Sequence, residues 1–343
     1  MTDEHEATAA YAANDLLSSF SFVDAPVRGA IVRLDAAWAR IARDHTRQVG
    51  QLLGEMLAGT ALLAHLLKDT DVALQTRGDG LVHTMATECF GRSGLRGIAR
   101  LRSEVDAEAR ADIPGAQPHD GENAGADGAR SGDVPTEAGD PDTRDASRWS
   151  AFVADEVADI GQLLGNGDLA ITLRPPFGEA HQGIVPLQGA SVAGCIEYYF
   201  TTSEQLATHV WLSAADGVAG GLLLQRIPIG PESNEMGDAR ADALWEEASM
   251  LASTLTSGEL RHTPVETLLT NLFRAHRIRL LPALALEARC TCSRERSLGV
   301  LRLLGREEVD SVLAERGEID MHCQFCGTGY LFSGADIASL WDA

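Results

Sequence analysis

The chain has 343 residues, enough for a sizeable core and more than one domain, and its 45% apolar content is ordinary for a globular protein. Its net charge of −22 argues against nucleic acid or an anionic membrane surface as the main partner, because phosphate binding needs basic patches. The acidic start, Met1 to Glu6, has no apolar stretch of the kind a signal peptide requires, and the longest apolar run, Leu52 to Leu67, carries Glu55 and His65. A cytoplasmic protein is expected, where clustered cysteines mean metal or redox chemistry.

Residues 1–14 read as a loose leader. Phe20, Phe22, Val23, Val27, Ile31, Val32 and Leu34 mark strands, with Arg28-Gly29 expected between them. Asp35 is placed to cap a helix bearing Trp38, Ile41 and Ala42. A second helix over Val49 to Leu67 is apolar around much of its circumference, which predicts burial against a sheet. Val72, Leu74 and Thr76, then Gly78-Asp79-Gly80, then Leu81 to Met85 make a hairpin pattern, and Leu95 to Leu101 another strand.

Residues 104–148 are rich in Asp, Glu, Gly, Ala and Pro and poor in large apolar side chains. Such a segment buries too little surface to offset its ordering entropy, so a disordered acidic insert is expected. Phe152, Val153, Val157 and Ile160 resume a helical spacing. Strands are predicted over Leu169–Leu173 and Gln182–Leu187, then a helix over Ser191–Phe200. Strands follow over His209–Ala214 and Gly221–Ile227, turning at Asp216-Gly217.

Beyond Pro231 the pattern is helical: Ala241 to Leu255, then a helix with Pro264 near its first position, Thr263 as its cap and Glu266 in its first turn. Ile278, Leu280, Leu281, Leu284 and Leu286 lead into Cys290. The expected class is α+β. A mixed α/β body spans 1–230, its sheet covered by helices; a helical linker spans 231–286; a small Cys₄ zinc domain spans 287–343.

Four of the six cysteines fall into two tight pairs, Cys290-Thr291-Cys292 and Cys323-Gln324-Phe325-Cys326. Two such pairs flanking a loop close a four-thiolate site, and soft thiolates favour zinc or an iron–sulfur cluster. The spacing departs from the ferredoxin patterns, which leaves zinc. Three readings stay open on these residues alone: a static zinc clip, a redox dithiol, and a zinc site that oxidants undo. The Cys-x-Cys pair leans toward the third, since its disulfide would close a very small, strained and labile ring. His322 is a candidate substitute ligand, and Arg294 and Arg296 could lower nearby thiolate pKa values. Cys89 and Cys195 read as buried, inert thiols. The chain has no His-Glu-x-x-His or Gly-x-Ser-x-Gly, so no enzyme is expected. Its only lysine, Lys68, follows leucines, so a P-loop is absent.

The segments Cys290–Arg296, Leu304–Glu308, Gly317–Cys326 and Tyr330–Phe332 together resemble the bacterial thirty-three-kilodalton heat-shock proteins (the 33 kDa chaperonins), which are redox-regulated chaperones. Body patches agree: Val27–Gly29, Gly78–Gly80, Arg96–Ala99, Gln182–Val185, Ser203–Gln205 and Gly220–Gln225. The acidic insert departs from typical members. The resemblance implies that Cys290, Cys292, Cys323 and Cys326 bind one Zn²⁺ per chain in a reduced, inactive state. It implies that oxidation pairs Cys290 with Cys292 and Cys323 with Cys326, releases zinc, and unfolds the zinc domain and the linker. It implies an oxidised homodimer that holds unfolding or oxidatively damaged client proteins without ATP. The competing expectation is a binding module with a static zinc ribbon.

Overall fold

The computed structural model describes residues 15–43, 45–67, 70–103, 160–187, 191–228 and 235–341. The leader, Lys68, the acidic segment 104–148 and the helical spacing of Phe152, Val153 and Val157 lie outside them.

Two sheets and one long helix build the body. The first sheet contains β1 (Leu16–Phe22), β2 (Val27–Leu34), β8 (Thr208–Ala215) and β9 (Val218–Arg226), in the antiparallel order β1-β2-β9-β8. The second contains β3 (Asp71–Gly78), β4 (Val82–Phe90), β5 (Gly94–Leu101), β6 (Gly167–Arg174) and β7 (His181–Pro186), in the order β5-β4-β3-β6-β7. Helix α1 (Ala36–Ala42) is capped by Asp35, as its sequence predicts, and leads to α2 (Arg47–Leu66). The short α3 (Ile160–Leu164) precedes β6, and α4 (Val192–Tyr199), capped by Ser191, precedes β8.

Helix α2 explains why its sequence is apolar nearly all round: both sheets pack on it. Leu52, Leu53, Met56, Leu57, Leu62 and Leu63 share one core with Val32, Leu34 and Leu223 of the first sheet and Val72, Leu74, Met85 and Leu95 of the second. It is long and apolar enough to cross a membrane, but 89% of its apolar window is buried within the fold.

The first sheet is buried on both faces. Strand alternation sends Leu17, Ala30, Val32 and Leu223 toward α2, and Phe20, Phe22, Val27, Ile31, Leu222 and Leu224 to the opposite side. Three helices cover that far side: α5 (Glu235–Ser253), α6 (Ser257–His262) and α7 (Val265–Phe273). They contribute Leu244, Ala248, Ala252, Leu260, Leu268, Leu269 and Phe273 to a second core. Helices laid across the body's sheet are thus found where the sequence places them.

Several local expectations need correction. Arg28 and Gly29 do not separate two strands; they sit inside β2, and the turn is residues 23–26. Arg28 is held by Gln225 on β9, and Gly29 lies under the Phe20 ring, where a Cβ would stand 2.3 Å from the ring. The cap of α7 is Pro264, with no side-chain hydrogen bond; Thr263 instead ends α6. Helix α5 begins six residues before Ala241. Between α7 and Cys290 the chain is not helical. It forms β10 (Ile278–Leu280) and β11 (Leu284–Ala285), which both pair with β1, and β12 (Glu287–Ala288), which pairs with β5 in parallel.

Beyond Cys292 come α8 (Arg294–Leu304), α9 (Arg306–Arg316), the hairpin β13 (Glu318–His322) and β14 (Gly329–Ser333), and α10 (Gly334–Trp341). They close a third, small core of Leu301, Val309, Ile319, Phe332, Ile337 and Leu340.

Candidate metal centre

The four cysteines of the two pairs meet. Their Sγ atoms all lie within 4.8 Å of one another, with Cys290 to Cys323 at 3.6 Å and Cys292 to Cys326 at 3.4 Å. A tetrahedral zinc with Zn–S near ~2.3 Å holds its sulfurs roughly 3.8 Å apart. The spacing therefore fits a four-thiolate metal site without large movement. No other group of His, Cys, Asp and Glu among the described residues comes together this way.

Local structure delivers each pair. The first lies between β12 and α8, where Ser293 caps the helix by accepting from the Arg296 N–H. The second tops the β13–β14 hairpin. There the Cys323 N–H donates to the Thr328 carbonyl at 2.9 Å and the Gly327 N–H donates to the Cys323 carbonyl at 2.8 Å. Gly327 has φ +70°, a left-handed turn that glycine adopts without a Cβ penalty.

Further groups face the sulfurs. The Tyr330 hydroxyl donates to Cys292 Sγ at 3.2 Å, and that bond is the main reason its own pKa rises to about 12. Desolvation pushes the Cys290 thiol up to about 12 and raises Cys323 as well. Desolvation also acts on Cys326, but hydrogen bonds from the Thr328 hydroxyl and N–H and from Cys292 and Cys290 together outweigh it and bring that thiol down to about 6. Hydrogen bonds among the sulfurs widen the spread, because the donating thiol is held protonated while the accepting sulfur is stabilised as thiolate. A cation at the centre removes that difference, since coordinating thiols are deprotonated outright.

His322 is not part of the cluster; its ring lies 3.6 Å from Asp320. Arg294 and Arg296 act as clamps. Arg294 donates to the Leu331 carbonyl at 2.7 Å, pairs with Asp336 at 2.9 Å and covers the Phe332 ring, while Arg296 donates to the Thr291 carbonyl at 2.7 Å. Cys89 and Cys195 are buried and are not part of the cluster, and desolvation pushes Cys89 up to about 12. Arg96 went unnoticed among the site residues. It donates to Thr291 Oγ1 at 3.0 Å, lies 4.3 Å over the Phe325 ring and is fixed by Glu88, so it ties both cysteine turns to the second sheet.

The family profile described as "Hsp33 protein" matches residues 15–333. A 33 kDa chaperonin of Ectopseudomonas mendocina is 37% identical over 332 residues, covering 96% of this chain and 95% of that protein. The 33 kDa chaperonin of Azotobacter vinelandii is 36% identical, covering 95% and 94%. A crystal structure of a 33 kDa chaperonin, the heat shock protein 33 homologue from Thermotoga maritima, superposes with a TM-score of 0.69 at 18% identity, covering 96% of this chain and 98% of that one. Fold, cysteine cluster and relatives together define a heat-shock chaperone. The chain belongs to the Hsp33 family.

Proposed function

We propose that the chain is a redox-regulated, ATP-independent holdase whose zinc domain is its switch. The observation that carries the reading is the four-sulfur cluster, set at near-tetrahedral spacing over a core of only six buried apolar residues. Cys290, Cys292, Cys323 and Cys326 would hold one zinc per reduced chain. Zinc supplies a cross-link between the two cysteine turns; in small zinc peptides such binding is worth an apparent ~10–16 kcal/mol of folding free energy.

Oxidation of the thiolates removes the ligands on which that cross-link depends. The pairing Cys290–Cys292 and Cys323–Cys326 comes from the family resemblance; the two shortest sulfur distances run between the turns instead. Pairing within each turn leaves the region from residue 287 without that cross-link and with a core too small to stand alone, whereas disulfides between the turns would keep it tied.

Three short strands join this region to the linker. Once β12 leaves β5, β11 and β10 keep five residue pairs with β1, flanking backbone hydrogen bonds and the packing of Ile278, Leu284 and Leu286. If α5, α6 and α7 lift away, the far face of the first sheet is uncovered, with Phe20, Phe22, Val27, Ile31, Leu222 and Leu224 on it. A contiguous apolar face of that kind suits unfolding client proteins and a second oxidised copy alike. We accordingly divide the chain into a chaperone body over 1–230, a linker over 231–286 and a switch domain over 287–343, acting in the cytoplasm.

The test follows zinc release and light scattering of a denaturing client in parallel during oxidation. Protection should rise as zinc leaves. Equal protection by the reduced, zinc-loaded chain would leave a static zinc ribbon as the better description.

A further inference from the structure

A cleft of about 800 Å³ separates the second sheet from the cysteine turns. Its walls carry Arg40, Arg43, Arg96, Arg100 and Arg289 against one lining acid, Glu287. Five of the chain's 28 basic side chains thus meet here, in a protein of net charge −22. Cys290, Cys292 and Cys326 line the same cleft. Arg40, Arg43 and Arg289 are exposed, with Arg289 paired to Glu287 at 3.4 Å and Arg40 reaching the Ala288 carbonyl at 3.4 Å, and Arg96 is engaged by Glu88, Thr291 and Phe325. A cationic wall and a sulfur floor therefore share one open cavity.

Screening decides which charges matter. At 0.1 M salt the Debye length is about 10 Å, so the distant acidic surface is damped while arginines within the cleft act on a solute inside it. Clefts lined by one sign of charge raise the local concentration of the opposite one. We propose that this cleft is an anion-selective entrance through which small anionic oxidants, typified by anionic disulfides, reach Cys290, Cys292 and Cys326 faster than neutral ones of equal reactivity. This rests on the redox-switch reading and adds the class of molecule that the switch senses.

The step balances as thiol–disulfide exchange. A protein thiolate attacks one sulfur of the disulfide, its S–S bond breaks, and an anionic thiolate leaves with the electron pair. A neighbouring protein thiolate then attacks the protein sulfur of the mixed disulfide and expels the second thiolate. Two protein thiolates are oxidised and one small disulfide is reduced.

The experiment uses the full, reduced, metal-loaded chain. Rate constants for loss of the cluster thiols are measured with dithiobis(nitrobenzoate), a dianion, and with neutral dithiodipyridine, each divided by its rate with a free cysteine peptide. The anionic-to-neutral ratio should exceed one and fall roughly tenfold from low to high ionic strength. It should fall similarly in the doubly substituted Arg40→Gln, Arg43→Gln chain, and the salt series on the unaltered chain stands even if that variant folds poorly. A ratio insensitive to both salt and substitution overturns the proposal. So does a variant whose metal affinity changes while its ratio does not, because the arginines would then merely balance the thiolate charge. If neither disulfide oxidises the cluster, the switch and its entrance fail together.

Discussion

Replacing Phe273 by alanine should activate the chain without oxidation. Phe273 is 1% exposed and is the largest side chain that α7 places in the second core. Its ring lies 5.1 Å from that of Phe22 and 6.0 Å from that of Phe20, so it joins the linker to β1. A Phe→Ala change in a core costs ~3–5 kcal/mol, from lost transfer energy and the cavity left behind. At about 1.4 kcal/mol per tenfold, the ratio of docked to released linker falls by two to three powers of ten or slightly more. The core around α2 and the small core of residues 301–340 do not include Phe273, so the body and metal content should persist. The assay is light scattering of a thermally denaturing client with the reduced variant. Hydrogen exchange at residues 278–285 and zinc content are measured alongside. Reduced Phe273→Ala should protect the client while still holding its metal. If its linker amides exchange faster by two powers of ten and no protection appears, the sheet face under the linker is not where clients bind.

Cys323→Ser should weaken metal binding by more than the 10–100-fold that loss of a supporting group costs, as read by competition with a chromogenic chelator; unchanged affinity would count against a four-sulfur site. A strong chelator under reducing conditions should expose α8, α9 and α10 to proteolysis and leave α2 and the two sheets protected. Glu55, on the core helix, has its pKa raised from 4.5 to about 7 by desolvation. A carboxyl raised on folding favours the folded state fully below its unfolded value, and that contribution is lost as pH rises through the folded one. Glu55→Gln should therefore be more stable than the parent chain above pH 7, with the difference closing toward pH 4.5, as measured by urea midpoints across that range.

Much of this was legible in the residues. Four cysteines in two tight pairs identify their own site, because few other arrangements bring so many thiols together. Strands such as β3 and β4 alternate, and the apolar circumference of α2 predicts burial against a sheet, though not that two sheets pack on it. Other features depend on partners that no local pattern names. β10, β11 and β12 are two or three residues long, too short for a period of their own, and they are strands only because β1 and β5 offer free edges. Arg96 joins Thr291 and Phe325 across some two hundred positions of sequence. Gly29 resembles a turn residue until Phe20 is seen lying over it. Helix α6 did carry a readable signal: Thr256 and Glu259 form a reciprocal cap, the Thr-x-x-Glu pattern that opens helices.

On the proposed switch, the second core would also order the release. Among its described residues α5 buries Ala241, Leu244, Ala248 and Ala252, of which three are alanines. An alanine buries little beyond its Cβ, whereas α7 contributes Leu268, Leu269 and Phe273, each worth about 1.5–3 kcal/mol when fully buried. Trp245 and Leu251 pack on that core partly buried, with Trp245 stacked on His209, and polar ties run from Asp242 to Arg226 at 2.6 Å and from Glu247 to His276 at 3.4 Å. Exposed ion pairs contribute at most about 1 kcal/mol. The metal domain pulls on the other end, through β12, β11 and β10 into α7. Freeing that end would therefore loosen α7 first by position, while α5 is held by fewer large buried side chains than α7. A sheet face covered from one side by a weakly held helix, and from the other by a helix tethered to a labile domain, opens at modest cost. The strong core around α2 stays shut through the same event, because none of its buried residues belongs to α5, α6 or α7.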